Sequence, residues 1–130
     1  MRRPVLAGLL SVFGVWPVVA DPSMECSLES SSQVEIGNCL AAVEDAVNTA
    51  MGVYLEDARA AAEELDQITE RDVAVPALAA SQAAWEAYRD AQCDYRGALF
   101  GGGSGTGIEI RSCRIDVTRD RIDALQGALR

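Results

Sequence analysis

Residues 40–69 read LAAVEDAVNTAMGVYLEDARAAAEELDQIT, and this stretch decides the fold class. Apolar or small residues recur along it at steps of three or four positions, which is the spacing of one helical face. They are Leu40, Val43, Val47, Ala50, Tyr54, Ala58, Ala61, Leu65 and Ile68. Ser32 and Glu35 have the spacing of a capping box, which places the helix start near Gln33. We therefore predict one long helix over residues 33–69.

A second helical segment follows a short polar break. Pro76 suits the first turn of a helix, because the N–H that proline lacks has no helical partner there. Large apolar side chains then recur among alanines as far as Phe100, at Leu78, Trp85, Tyr88, Tyr95 and Leu99. This pattern predicts a second helix over residues 76–100.

Residues 101–107 read GGGSGTG and cannot continue that helix, because glycine loses too much backbone freedom in helices. Thr106 and Glu109 again have capping-box spacing, and a large aliphatic residue recurs every seven positions at Ile108, Ile115, Ile122 and Leu129. These features predict a third helix over residues 107–129. No strand pattern competes, so the predicted fold is all-α, an antiparallel three-helix bundle.

The N-terminal residues have the pattern of an export signal. Arg2 and Arg3 precede an apolar run over residues 5–15, and small residues lead up to Ala20. A membrane-spanning helix would need about 20 apolar residues, and the two flanking prolines enclose only about twelve. We predict that residues 1–20 are a signal peptide. The mature protein is then one helical domain, residues 21–130, which is periplasmic or secreted and does not associate with membranes.

The charge balance limits the classes of partner. The chain has 20 acidic residues, 11 basic residues and no histidine, which gives a net charge of −9. Removal of the predicted signal peptide would also remove Arg2 and Arg3, and the charge would fall to about −11. A surface of this sign repels nucleic acid and attracts basic proteins. Solubility is the commoner explanation of such a charge, and it needs no partner.

Four cysteines, Cys26, Cys39, Cys93 and Cys113, allow three disulfide pairings. Cys93 lies ten residues before Gly103 and Cys113 lies ten residues after it, so antiparallel helices would bring the two cysteines level. Pairing Cys39 with Cys93 would leave them about 18 Å apart along the helices. We predict the pairs Cys26–Cys39 and Cys93–Cys113, each stabilising the fold by about 3 kcal/mol. Zinc binding is not expected, because no two cysteines have close ligand spacing.

Residues 82–93, QAAWEAYRDAQC, resemble the signature of the LprI-like lysozyme-inhibitor family. The lead from Cys26 to Glu35, the pair Asn38 and Cys39, Tyr54, the glycine-rich break, and Cys113 followed by Thr118, Arg121 and Leu125 support the resemblance. It implies a small secreted helical domain with four cysteines. It also implies lysozyme inhibition, the activity of a founding member, although a shared fold does not by itself fix function.

The matched motif residues have a structural interpretation that we prefer to direct function. They are Gln82, Trp85, Tyr88, Arg89, Thr118, Arg121 and Leu125. Trp85 and Tyr88 are expected to pack in the core against the first helix. Arg89 is expected to lie over the Trp85 indole while pairing with an acidic neighbour. The last three residues are expected to form one seam of the third helix.

Catalysis has no support in the sequence. There is no histidine to act as a base, the cysteines are expected to be oxidised, and no serine lies in a nucleophile motif. We predict no catalytic residue, cofactor or metal, and a protein partner, with a basic lysozyme as the first candidate. The alternative is an envelope interaction or scaffold module with another partner. Residues 101–107 are either a helix connection or a tip that enters a partner's cleft.

Overall fold

The computed structural model describes residues 21–129, and the predicted signal peptide, residues 1–20, lies outside them. Four helices follow one another along the described chain: α1 Pro22–Ser27, α2 Gln33–Thr69, α3 Ala74–Ala98 and α4 Gly105–Ala128. Residues 21–129 contain no strand, so the all-α prediction is confirmed. No helix among them combines the length and the apolar character needed to cross a bilayer.

The first of these helices corrects the prediction of three helices, because α1 lies before the predicted first helix start near Gln33. The carboxylate of Asp21 accepts a hydrogen bond from the backbone N–H of Ser23 at 2.8 Å and so caps the helix. Pro22 follows at the first helical position, where its missing N–H costs nothing. A helix of six residues is too short to show periodicity, so the sequence pattern did not predict it.

Helix α2 has the predicted bounds, and its start is the predicted capping box. The backbone N–H of Glu35 donates to the Ser32 hydroxyl at 3.2 Å, while the Ser32 N–H donates to the Glu35 carboxylate at 3.1 Å. At the other end Glu70 adopts a left-handed conformation with φ 52°, which ends the helix. The capping box therefore defines the start of α2, and the left-handed conformation of Glu70 marks its end.

Helix α3 begins two residues before its predicted start because a side chain of α2 caps it. The Asp66 carboxylate accepts hydrogen bonds from the backbone N–H groups of Val73, Ala74 and Val75 at 3.1, 2.8 and 3.0 Å. These bonds, first that from Val75, lower the pKa of Asp66 below its usual value. Pro76 lies in the first turn as predicted. One carboxylate thus fixes the turn between two long helices.

Helix α4 begins at Gly105, two residues earlier than predicted, and the capping box expected from Thr106 and Glu109 is wrong. The N-cap residue, Ser104, makes no side-chain capping bond. Glu109 instead forms an ion pair with Arg96 of α3. The preceding turn uses φ values of 63° at Gly101 and 82° at Gly102, which glycine adopts without strain.

The three long helices contact one another, and α1 packs against α2 and α4. One buried cluster contains Cys26, Leu40 and Ile115, and a second contains Met51, Ala58 and Leu125. No residue of α2 after Ala58 is buried, so the predicted apolar stripe is exposed at its end, at Leu65 and Ile68. This exposure arises because α4 has 24 residues against 37 in α2 and ends near the second cluster.

Both disulfides have the predicted pairing. Cys26 is bonded to Cys39 with their Cα atoms 5.8 Å apart, which ties α1 to α2. Cys93 is bonded to Cys113 with a Cα separation of 5.5 Å, which ties α3 to α4. The second bond is fully buried. Each long helix is therefore covalently tied to another element.

Candidate functional site

The matched motif residues of α3 and α4 meet in one seam. Gln82 is buried, and its side-chain oxygen accepts a hydrogen bond from Arg121 Nε at 3.2 Å. Arg121 also donates from Nη2 to the Ser81 hydroxyl at 3.1 Å. Thr118 and Leu125, on the same helix as Arg121, are both buried. The seam therefore joins α3 to α4.

Trp85 and Arg89 also have the arrangement expected of them. Trp85 is half-buried and packs against the cluster that contains Met51 and Leu125. The guanidinium carbon of Arg89 lies 5.0 Å from the centroid of the indole ring, a cation–π distance. Arg89 Nη2 forms an ion pair with Asp90 at 2.9 Å. This part of the motif therefore covers the core.

The core position expected for Tyr88 is wrong, because this side chain is 57 % exposed. The buried residues of α3 include Cys93 and Gly97, whose small size lets α4 approach closely. Bulky tyrosines cannot occupy such a contact and lie on another face of the helix. Tyr88 shares that face with Tyr95 and Leu99, which are 60 % and 68 % exposed.

A cluster of charges that the sequence analysis missed surrounds Arg96. Its Nε donates to the Glu109 carboxylate, and its terminal nitrogens lie 3.9 Å from Asp21 and 3.8 Å from Asp116. Asp21 also accepts a hydrogen bond from the Ser112 hydroxyl at 3.0 Å. The cluster joins the start of α1 to α3 and α4, and it holds three carboxylates around one guanidinium.

Burial, hydrogen bonds and neighbouring charges shift the pKa values of two carboxyl groups in the cluster. Burial, and then the negative charge of Asp21, raise the pKa of Asp116 to about 6, although Arg96 and Arg119 oppose the shift. Burial also raises the pKa of Asp21, but hydrogen bonds from Ser23 and Ser112 outweigh it and leave the value below normal. Asp116 therefore titrates above the usual range of an aspartate, beside a guanidinium that it shares with Glu109 and Asp21.

An open groove of about 360 Å³ lies beside this cluster, between α3 and α4. The residues that line it are Tyr88, Gln92, Arg96, Asp116, Val117, Arg119 and Asp120. Arg119 donates two hydrogen bonds to the Glu25 carboxylate, at 3.2 and 3.1 Å, so its charge is engaged within the protein. The groove thus combines an exposed aromatic ring with carboxylates. Such a surface can bind a partner through packing and charge.

The spacing of charged residues from the cysteines indicated part of the charge cluster around Arg96. Arg96 lies three residues after Cys93, and Glu109 lies four residues before Cys113. Antiparallel helices joined by that disulfide bring these two positions level, so the ion pair follows from the predicted bond. The Asp21 carboxylate of the cluster could not be placed from the sequence, because helix α1 was not predicted. Residues 21–129 hold no group of three or more acidic, cysteine or histidine side chains arranged to bind a metal ion.

Comparison with protein families shows a likeness over most of the described chain. The family model described as "Lysozyme inhibitor LprI" matches residues 23–125. This range contains the four cysteines, the seam and the groove. Neither the search of curated proteins nor that of solved structures finds a match.

Proposed function

Because the chain belongs to the LprI lysozyme inhibitor family, we propose that it binds and inhibits lysozyme-type muramidases outside the cytoplasm. The match over residues 23–125 is the observation that carries this proposal. Two disulfides and the family indicate an extracytoplasmic protein, because such bonds persist in oxidising compartments. A signal peptide over residues 1–20 would deliver the chain to the periplasm or the medium.

Charge supports a basic enzyme as the partner. The chain carries a net charge of −9 and has no histidine. Opposite charge on two proteins steers their encounter and raises the association rate, and salt weakens this effect. A basic lysozyme therefore meets this surface faster than a neutral protein does.

Rigidity supports inhibition by obstruction. The disulfides, the Asp66 cap and the charge cluster fix the helices before binding, so little conformational entropy is lost on association. The turn after α3 carries Leu99 and Phe100, both more than half exposed, beside Gly101 and Gly102. We propose that this tip, residues 99–104, obstructs the glycan-binding cleft of the lysozyme. The inhibitor contributes no catalytic group of its own.

A lysis assay tests the function. The exported protein, purified with both disulfides formed, is titrated into a suspension of cell walls and a basic lysozyme, at low and high salt. We expect inhibition that weakens as salt rises. An absence of inhibition at every concentration would contradict the proposed function. Inhibition that does not change with salt would contradict electrostatic steering but would leave the proposed function intact.

A further inference from the structure

One face of α3 carries exposed residues of the type that dominate protein interfaces. Tyr88, Gln92, Tyr95 and Leu99 recur at steps of four, three and four, so they form one stripe along the helix. Tyr88, Tyr95 and Leu99 are each more than half exposed. Tyrosine is among the side chains that contribute most to binding when an interface buries them. The stripe is therefore suited to contact with another protein.

Carboxylates border this stripe on the α4 side. Asp116 and Asp120 line the same groove as Tyr88 and Gln92. Asp120 is exposed and takes part in no ion pair within residues 21–129. The two cations of the groove have their shortest ion pairs outside it, Arg96 with Glu109 and Arg119 with Glu25, although Arg96 also lies 3.8 Å from Asp116. The border of the stripe therefore carries a net negative charge.

We propose that the α3 stripe and its bordering carboxylates, together the docking face, bind the basic surface of the partner enzyme. The docking face consists of Tyr88, Gln92, Tyr95, Leu99, Asp116 and Asp120. This inference rests on the function proposed above and names the surface through which it acts. Tyrosine rings pack against the aliphatic stems of partner lysines and arginines, while the carboxylates receive their cationic ends.

The surroundings of Asp116 favour a cation over other ligands. Asp116 lies near Asp21 and Asp120, and the nearest nitrogen of Arg96 is 3.8 Å away. The same guanidinium also pairs with Glu109 and Asp21 through its other nitrogens. An additional cation at this position reduces the repulsion among the carboxylates. Nucleic acid and anionic lipid increase it. A neutral glycan can stack on the tyrosines but gains nothing from the carboxylates. The charge of the groove therefore favours a basic protein over a neutral glycan.

Paired variants test the docking face. We compare Tyr88→Ala/Asp120→Asn with the matched control Val53→Ala/Asp57→Asn, which changes one exposed apolar and one exposed acidic residue of α2. Binding to a purified basic lysozyme is measured by biolayer interferometry with the full exported chain. We expect the docking-face variant to bind at least about tenfold more weakly and the control to bind as the wild type does. Equal melting temperatures would show that both variants fold.

A second variant keeps the test informative if the first one does not fold. Asp120→Arg is expected to slow association at low salt and to approach the wild-type rate at high salt. Unchanged binding of the folded docking-face variants would overturn the inference and leave the proposed function intact. Failure of the wild type to bind the enzyme would overturn both. Binding to enzyme-free peptidoglycan that is lost in the Tyr88→Ala/Asp120→Asn variant would also overturn the inference, and would assign the face to a glycan.

Discussion

Gly97 of α3 lies so close to Ile110 of α4 that a Cβ atom at position 97 would be 2.5 Å from Ile110 Cγ1. No larger residue fits there without movement of Ile110 or separation of the helices. The contact lies one turn from Cys93, so the glycine and the disulfide together set the distance between α3 and α4. The same close approach leaves the tyrosines of α3 on its outer face.

Gly97→Ala is therefore expected to destabilise the protein. Overpacking of a close contact costs about 1–3 kcal/mol, and the better helix propensity of alanine offsets up to about 1 kcal/mol of it. Gly52→Ala is the matched control, because a Cβ at position 52 of α2 meets nothing within 4 Å. We expect the control to stabilise the protein slightly. Urea denaturation measures both, and a more stable Gly97→Ala variant would contradict the close contact.

Trp85 and Tyr88 differ in burial, so their replacement should differ in effect. Trp85→Ala removes a half-buried indole and the partner of the Arg89 guanidinium, and is expected to cost about 2–3 kcal/mol of unfolding free energy. Tyr88→Ala removes an exposed ring and is expected to change stability by less than about 0.5 kcal/mol. Thermal unfolding followed by circular dichroism compares the two. Equal losses would show that Tyr88 is part of the core.

Much of the fold could be predicted from the sequence because it depends on local patterns. The bounds of α2 followed from apolar periodicity and the Ser32 capping box, and the disulfide pairing followed from helix geometry. The start of α3 could not be predicted in the same way. It depends on the Asp66 side chain, seven or more residues earlier in the chain, which no local motif reveals.

The candidate site was harder to predict for the same reason. Helical periodicity indicates that Tyr88 lies on an apolar stripe, but it does not indicate whether another helix covers that stripe. The answer depends on Gly97, which brings α4 to a different side of α3. The cluster around Arg96 combines residues of α3 and α4 with Asp21, which precedes α1 in a stretch that showed no helical periodicity.

The two disulfides should stabilise different parts of the molecule. Replacement of Cys93 and Cys113 by serine removes a buried bond between α3 and α4 and is expected to cost about 3 kcal/mol or more. Replacement of Cys26 and Cys39 should chiefly release α1, since that bond joins the short helix to α2. Hydrogen exchange followed by mass spectrometry distinguishes them. Loss of protection throughout α3 and α4 in the Cys26/Cys39 variant would contradict this division.

Asp116 should make stability depend on pH in a direction unusual for a carboxylate. Its pKa is about 6 in the folded protein and 3.8 in the reference state, so the folded state binds more protons between these values. The contribution of this group is therefore fully present below about pH 4 and is lost as the pH rises through 6. Asp21 acts in the opposite direction, because its lowered pKa gives stability that is lost on acidification below its reference value of 3.8.

Asp116→Asn tests this assignment, because asparagine removes the charge and keeps the shape. The side chain is 29 % exposed, so solvent screening reduces the effect of the shift to about 1 kcal/mol. We expect the variant to be more stable than the wild type by this amount at about pH 8 and equally stable at about pH 4. Asp57→Asn, at an exposed position of α2, serves as the control with no pH-dependent difference. A less stable Asp116→Asn variant at pH 8 would mean that the attraction of Arg96 exceeds the cost of burying the charge near Asp21 and Asp120.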